Sequence, residues 1–579
     1  MVRHSVRLKP VKDSVSPQED RFLAVDKLLC NRFLLLFMQH QEKREDSGQQ
    51  DNNLLRRLWP DGLFRRIARP WPSFFIQVIL LAWPSVWFFA KIPVLWNYMD
   101  GFLQVSTKPS AANLLVWPPL YCFGARFPML IGYLIGGGTA EGAVRYFSHP
   151  VLTNSAILTL IITQHLAFLG ASLVFIRTIS RKALVQIVLA LIFSSFSSLY
   201  ATVHTVGSES GSVILILLIA AFSVEIARSS QLNFRRWLSL CGILFAAVLT
   251  RHINAVMLLL PVVAAALPRL KDGRVALEAC RRAALRALFA VAAGITALVL
   301  AHSVVWLWCL RAKVDYRSMV GLTFLARIDQ FRNAPGRFSE FVGEMVNHLS
   351  DPVLVETLQR LKRANEADKV GPDFISEAKA TIEEVSSAHG LSSNAPSFRT
   401  LMDEKFNALM RATLLAQPAS FRQAVASDWL EGQNWLCGFF THCSIGGTAI
   451  DWDNDPLSRK MQPLHGLATF SNFSFADLQG LAKNFAGPFL ADGIAVWYLA
   501  LAICILSLVA TILRVPAWNT AIAVSMFVVG ELIYLLSCSV AGQICRYGIP
   551  LLELVMCAAL TLVAGILDGL WDRFGAFDF

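Results

Sequence analysis

Long apolar runs separated by short polar breaks fill most of this 579-residue chain. A helix that spans a bilayer needs about 20 mostly apolar residues, because the hydrocarbon layer is ~30 Å thick and each residue rises ~1.5 Å. Runs of that kind fall at 72–95, 151–176, 183–203, 213–227, 286–310, 492–513, 517–538 and 549–570. The stretch 237–268 is apolar at both ends but carries Arg251, His252 and Asn254 at its middle. One continuous helix there would bury an arginine at the bilayer centre, at a cost of several kcal/mol. The pattern therefore predicts two short helices meeting at a polar turn. The whole reads as an all-α polytopic membrane protein of about ten transmembrane helices.

Residues 119–138 (PLYCFGARFPMLIGYLIGGG) have the length of a span, yet they carry Arg126 and Pro128, follow Pro118 and end in three glycines. Proline and glycine weaken helices, so a surface-lying or re-entrant piece is expected. Lysine and arginine accumulate in cytoplasmic loops, which gives an independent test. If 119–138 does not cross and the basic N-terminal tail is cytoplasmic, then Arg177/Arg181/Lys182, Arg228/Arg235/Arg236 and the six basic residues of Arg269–Arg286 all fall inside. If it crosses, all three clusters flip outside. The non-crossing arrangement is the consistent one, and it sets both termini in the cytoplasm.

Charge divides the chain. The first 71 residues hold 14 basic and 9 acidic side chains, residues 311–490 hold 18 and 20, and the other 328 residues hold 20 and 12. Overall only 16% of residues are charged, against about 25% in a soluble domain. The domain reading is a cytoplasmic tail (1–71), an N-terminal transmembrane core (72–310, first outer loop 96–150), a large, mainly helical non-cytoplasmic loop (311–490) and a C-terminal transmembrane part (491–579). The tail's basic end (Arg56, Arg57, Arg65, Arg66, Arg69) suits an anionic inner leaflet. An ordinary cytosolic enzyme is excluded. Nucleic acid is not the expected partner either: the net charge of +11 sits beside hydrophobic segments, where a bilayer explains it.

With ten spans, Asp100, Glu209, Arg251, Arg546 and the 311–490 loop share the non-cytoplasmic face. Asp100 follows the first span between Tyr98 and Gly101, where partial desolvation would lift its carboxyl towards general-base strength. Glu209 lies in His204–Ser212 (HTVGSESGS), read as a tight polar turn. Arg251 with His252, and Arg546 in QICRYGIP, stand at headgroup depth, where a guanidinium can bind a phosphate bidentately. Snorkelling to lipid headgroups is the plain alternative for each arginine, and turn or helix-end duty for each acid.

No motif supports a metal. DWDNDP (Asp451–Pro456) spaces three carboxylates at alternate positions, but Pro456 stands where a calcium loop needs glycine. His442 with Cys437 and Cys443 lacks a fourth ligand for zinc, though the two cysteines could pair in an oxidising compartment. A divalent cation therefore stays open as a cofactor. The triplet Asn472–Ser474 fits an N-glycosylation site. No phosphate-cradling GxxxxGK[ST], no GxGxxG opening a strand–helix unit and no HExxH is present.

Several short elements occur in a telling order: Asp100 in the first outer loop, Trp117–Tyr121 (WPPLY), Ser208–Glu209, Leu249–Arg251 (LTR), Gln417–Phe421 (QPASF) and Arg546–Pro550 (RYGIP). This order resembles the GT-C membrane glycosyltransferases, in particular bacterial relatives of the protein O-mannosyltransferases and the lipid A aminoarabinose transferases. The likeness covers roughly 72–260 and 405–560. It departs from the family where a single Asp100 stands for two adjacent acids and where Cys122 follows WPPLY instead of proline. The resemblance implies a polyprenyl-phosphate-linked sugar as donor, a hydroxyl or lipid acceptor of unnamed identity, and a bacterial inner membrane location. Asp100 would then be the catalytic carboxylate, Glu209 its support, and Arg251, His252 and Arg546 the donor-phosphate ligands. A catalytically silent relative that binds lipid or a partner is the competing reading, with a transporter or flippase behind it.

Overall fold

The computed structural model describes residues 71–91, 104–106, 119–228, 234–267, 277–314, 316, 320–332, 337–367, 374–391, 398–435, 496–541 and 548–574. Asp100, Arg546, the 1–70 tail, Cys437, His442, Cys443, Asp451–Pro456 and Asn472 lie outside them. Every regular element among the described residues is a helix. Six helices are long and apolar enough to cross a bilayer: Trp71–Ala90, Asn154–Ile179, Ser208–Arg228, Ala279–Ala312, Ala517–Val540 and Ile549–Arg573. Shorter apolar helices lie at Pro119–Ile135, Ala183–Ser194, His252–Ala266 and Val496–Ile512.

In chain order the first half comprises α1 (Trp71–Lys91), α2 (Pro119–Gly124), α3 (Arg126–Ile135), α4 (Ala140–Arg145), α5 (Asn154–Ile179), α6 (Ala183–Ser194), α7 (Ser197–Val203), α8 (Ser208–Arg228), α9 (Phe234–Thr250), a 3-10 turn (His252–Leu258), α10 (Leu259–Ala266) and α11 (Leu277–Ala312). There follow α12 (Val320–Arg332), α13 (Arg337–His348), α14 (Pro352–Glu366), α15 (Phe374–Ala388), α16 (Phe398–Ala416) and α17 (Pro418–Trp435), then α18 (Val496–Ile512), α19 (Ala517–Ala541) and α20 (Ile549–Phe574). The apolar bundle is built around α20, whose apolar window is 89% buried. It packs against α19, α18, α8, α6 and α5.

The 119–138 segment forms two short helices, α2 and α3, and α3 packs on α5. Tyr121 meets Gln164 of α5 (2.9 Å), while Gly132 lies against Ser155 and Thr159 at the start of α5. These contacts fall within the first eleven residues of the 26-residue α5. Gly132 is needed for this approach, because a Cβ there would come within 2.3 Å of the Ser155 carbonyl. Arg126 is buried rather than at the surface; it donates to the Val105 carbonyl (3.2 Å) and the Phe147 carbonyl (2.5 Å). These carbonyls solvate the guanidinium in place of water.

One end of the bundle collects basic side chains. Arg228 donates to the Thr178 and Ile179 carbonyls at the end of α5 and stacks over Trp518 (4.7 Å). Lys182 bridges to Asp572 (2.6 Å), and Ser180 donates to Asp568 (2.7 Å). Arg177 donates to Gln77 (3.1 Å), which donates to Gln186 (3.0 Å).

Helices α12–α16 enclose a second apolar core of their own, with Phe324, Phe341, Met345, Leu358, Ile382 and Leu409 at its centre. The chain breaks at Gln417 between α16 and α17: Leu409 and Ala412 of α16 face this second core, whereas α17 docks on α19. There Trp429 (2.9 Å) and Gln433 (2.8 Å) both donate to Glu531, and Arg327 of α12 pairs with Asp428. Gly432 lets the two helices close; a Cβ would fall 1.7 Å from the Tyr534 hydroxyl.

Asp351 caps α14, accepting from the Val353 (2.9 Å) and Leu354 (3.3 Å) amides, and bonds Lys405 of α16 (2.6 Å). Partial burial pushes this carboxyl up, but the Lys405 ammonium and the two amides outweigh burial, so it titrates below its ordinary 3.8. A carboxyl depressed on folding contributes stability above its ordinary value and loses it as pH falls through the folded value. Acid-protease cleavage within 320–416 should therefore rise as pH drops below ~4. Asp351→Asn, which keeps the cap, should flatten that dependence; an unchanged pH profile in the variant would remove this account.

Candidate functional site

At the end of the bundle opposite the Arg228–Asp568 cluster, four breaks in helical structure converge: α2, the 204–207 link between α7 and α8, the first turn of α8, and the turn at Arg251. Broken helices leave amides and carbonyls without intrahelical partners. Side chains from distant helices take them up. Gln164 of α5 donates to the Val203 (2.8 Å) and Thr205 (2.9 Å) carbonyls. Its amide oxygen accepts from Tyr121, whose hydroxyl accepts the Gly207 amide (2.7 Å). Burial pushes the Tyr121 phenol up, so it keeps the proton it donates. Gln104 of the first outer loop accepts the Ser208 amide (3.2 Å).

Glu209 is the second residue of α8 rather than part of an open turn, and it is only 5% exposed. An acid in the first turn is favoured by the unsatisfied amides there. Its Oε1 lies 3.5 Å from the Arg251 guanidinium. The two side chains are 6% and 11% exposed, so this is a desolvated ion pair. Arg251 takes an extended backbone (φ −152°, ψ 132°) between α9 and the 3-10 turn, which aims it back at α8. The turn is held by Asn254, which donates to the Ala247 carbonyl (3.0 Å) and accepts from Ser212 of α8 (2.8 Å).

His252, beside Arg251, is exposed and lies parallel to His302 of α11, with ring centroids 6.3 Å apart. His302 in turn bonds the Tyr316 hydroxyl. Beneath the site, His165 and His204 are hydrogen-bonded (2.9 Å), with Ser85 of α1 on the other His165 nitrogen (2.8 Å) and Phe88 and Phe89 packed around them.

The structure thus brings Glu209 and Arg251 together, with His252 adjacent in the chain. Asp100 and Arg546 lie outside the described residues. Tyr121 was visible in sequence only as part of WPPLY, and Gln164, His165, His204 and Gln104 gave no local signal. Among the described residues no three His, Cys, Asp or Glu side chains gather as a metal site. Chemically, the cluster offers a buried carboxylate, a guanidinium and several neutral donors fixed by a hydrogen-bonded frame.

Tyr121→Phe strands the Gly207 amide and the Gln164 oxygen and should cost about 1–3 kcal/mol. Gln164→Leu, which frees two more carbonyls, should cost more. Melting temperatures of the purified protein check the order; equal values for the two variants would contradict the frame.

No family model, curated protein or solved structure matches this chain.

Proposed function

We propose that the protein is a GT-C-type membrane glycosyltransferase of about ten spans, which moves a sugar from a polyprenyl-phosphate donor to an acceptor hydroxyl on the non-cytoplasmic face of a bacterial inner membrane. The observation that carries the reading is the Glu209–Arg251 pair. Two elements 42 positions apart, the Ser208–Glu209 and Leu249–Arg251 pieces on which the resemblance rests, meet at the end of the bundle away from the basic cluster. Basic residues accumulate on the cytoplasmic side, so the pair belongs to the outer side, with both termini inside.

The first outer loop is fastened to the same place, since Gln104 holds the Ser208 amide. Asp100 lies four residues earlier, and the covalent chain keeps their Cα atoms within about 14 Å. In the reaction Asp100 takes the proton of the acceptor hydroxyl as its oxygen bonds to the anomeric carbon. The bond from that carbon to the phosphate oxygen breaks, and polyprenyl phosphate leaves as an anion. Arg251, with His252 and Arg546, compensates the charge on the phosphate. Glu209 holds the guanidinium until the donor arrives. At 3.5 Å the pair is longer than the 2.7–2.9 Å or so of a tight charge-assisted bond, which suits exchange of one anion for another.

The same pair favours a second reading, a catalytically silent relative that binds lipid, because Glu209 already neutralises Arg251. Transfer of labelled sugar from a polyprenyl-phosphate donor in vesicles separates the two. Asp100→Asn should lower transfer by about 10²–10⁴-fold with donor binding and expression intact, and Arg251→Gln should weaken donor binding. Retained turnover in the Asp100 variant would remove the catalytic assignment; donor binding with no turnover in the wild type would leave the silent reading.

A further inference from the structure

The most enclosed helix of the bundle carries a carboxyl that nothing above uses. Glu553 is the fifth residue of α20, is 0% exposed, and neither of its carboxyl oxygens has a hydrogen-bond partner among the described residues. Among the described residues, the five helices that pack on α20 most extensively have their Asp, Glu, Lys, Arg and His side chains engaged elsewhere or have none. On α19, Glu531 takes the Trp429 and Gln433 bonds. On α8, Glu209 pairs with Arg251 and Glu225 with Arg236. On α5, His165 bonds Ser85 and His204, and Arg177 bonds Gln77. Helices α6 and α18 contain no Asp, Glu, Lys, Arg or His. On α20 itself the near neighbour is Cys557, one turn on and also fully buried.

An ionised carboxylate shut away from water without a counter-charge or donor is untenable. A metal cation is a poor substitute, because sodium- or calcium-like ions need several oxygen ligands, and among the described residues no three His, Cys, Asp or Glu side chains gather here. We propose that Glu553 is a membrane-embedded proton site: it holds its proton as a neutral carboxylic acid and gives it up, as carboxylate forms, when α20 opens to water or a base. A group of this kind inside a spanning helix is where a membrane protein can couple a conformational step to a proton. The inference does not depend on the transferase reading.

Infrared spectroscopy of the full-length protein in phosphatidylcholine vesicles tests it. The spectrum of wild type minus Glu553→Gln at about pH 7, well above the ~4.3 of a free glutamate, should show the C=O band of one protonated carboxyl. The Gln variant should melt where the wild type does, and Glu553→Leu should melt higher because it removes two unsatisfied oxygens. A carboxylate band in place of the acid band would overturn the proposal. So would loss of the acid band on adding sodium or potassium at fixed pH, which would mean a metal-cation site. Failure of both the Gln and Leu variants to fold would also overturn it, since that would mean a charged group is required.

Discussion

In a hydrocarbon layer no water is present to satisfy a broken helix, so every interrupted backbone end must find its donors and acceptors inside the protein. That constraint governs most polar side chains in this bundle. Gln164 closes the end of α7, Arg228 closes the end of α5, and Arg286 donates to the Leu267 carbonyl after α10 (2.8 Å). Arg126 does the same for the chain on both sides of α2 and α3. Few of these residues pair with acids among the contacts just described; their partners are carbonyls. At these four places the interruption is closed by a long donor that reaches across from another element.

The candidate site is a consequence of this arrangement. The interruptions at one end expose backbone groups that Tyr121, Gln164, Gln104 and Asn254 bind, and Ser212 donates to the Asn254 side chain. Because each of those side chains spans two elements, the frame fixes the first turn of α8 relative to the turn at Arg251. Glu209 and Arg251 are thereby held opposite one another without either helix having to bend. Structural necessity and site geometry are thus parts of one hydrogen-bonded unit.

The apolar helices were legible from run length and charge placement. The break at Arg251 was too, because an arginine at the middle of an apolar stretch has no other economical solution than a turn. The polarity of HTVGSESGS misled as to detail: its second half is helix, since Ser208, Glu209 and Ser210 suit a first turn as well as they suit a loop. The 183–203 run, read as one span, divides at Ser195–Phe196 inside the cluster Ser194, Ser195, Ser197 and Ser198, residues that favour turns and helix ends. What sequence could not offer was the pairing. Gln164 with Val203, His165 with His204 and Tyr121 with Gly207 join residues 39 to 86 positions apart, and no local periodicity encodes which glutamine or histidine of an apolar helix will face a break.

Two buried acids, Glu209 and Glu553, show how differently such groups can be accommodated. Removing water from a carboxylate and a guanidinium costs several kcal/mol per ion, and their attraction offsets this only while both remain. An apolar pair would hold α8 to the Arg251 turn at least as well. The ion pair has a property the apolar pair lacks: it keeps a guanidinium dehydrated and aimed while leaving it able to exchange one anion for another. Under the proposed function the desolvation is complete before the donor phosphate arrives, and that group would meet a strong low-dielectric field without having to strip water from the arginine. Glu553 has no cationic partner among the described residues, so no such exchange is open to it there, and on the inference above the charge it trades is a proton.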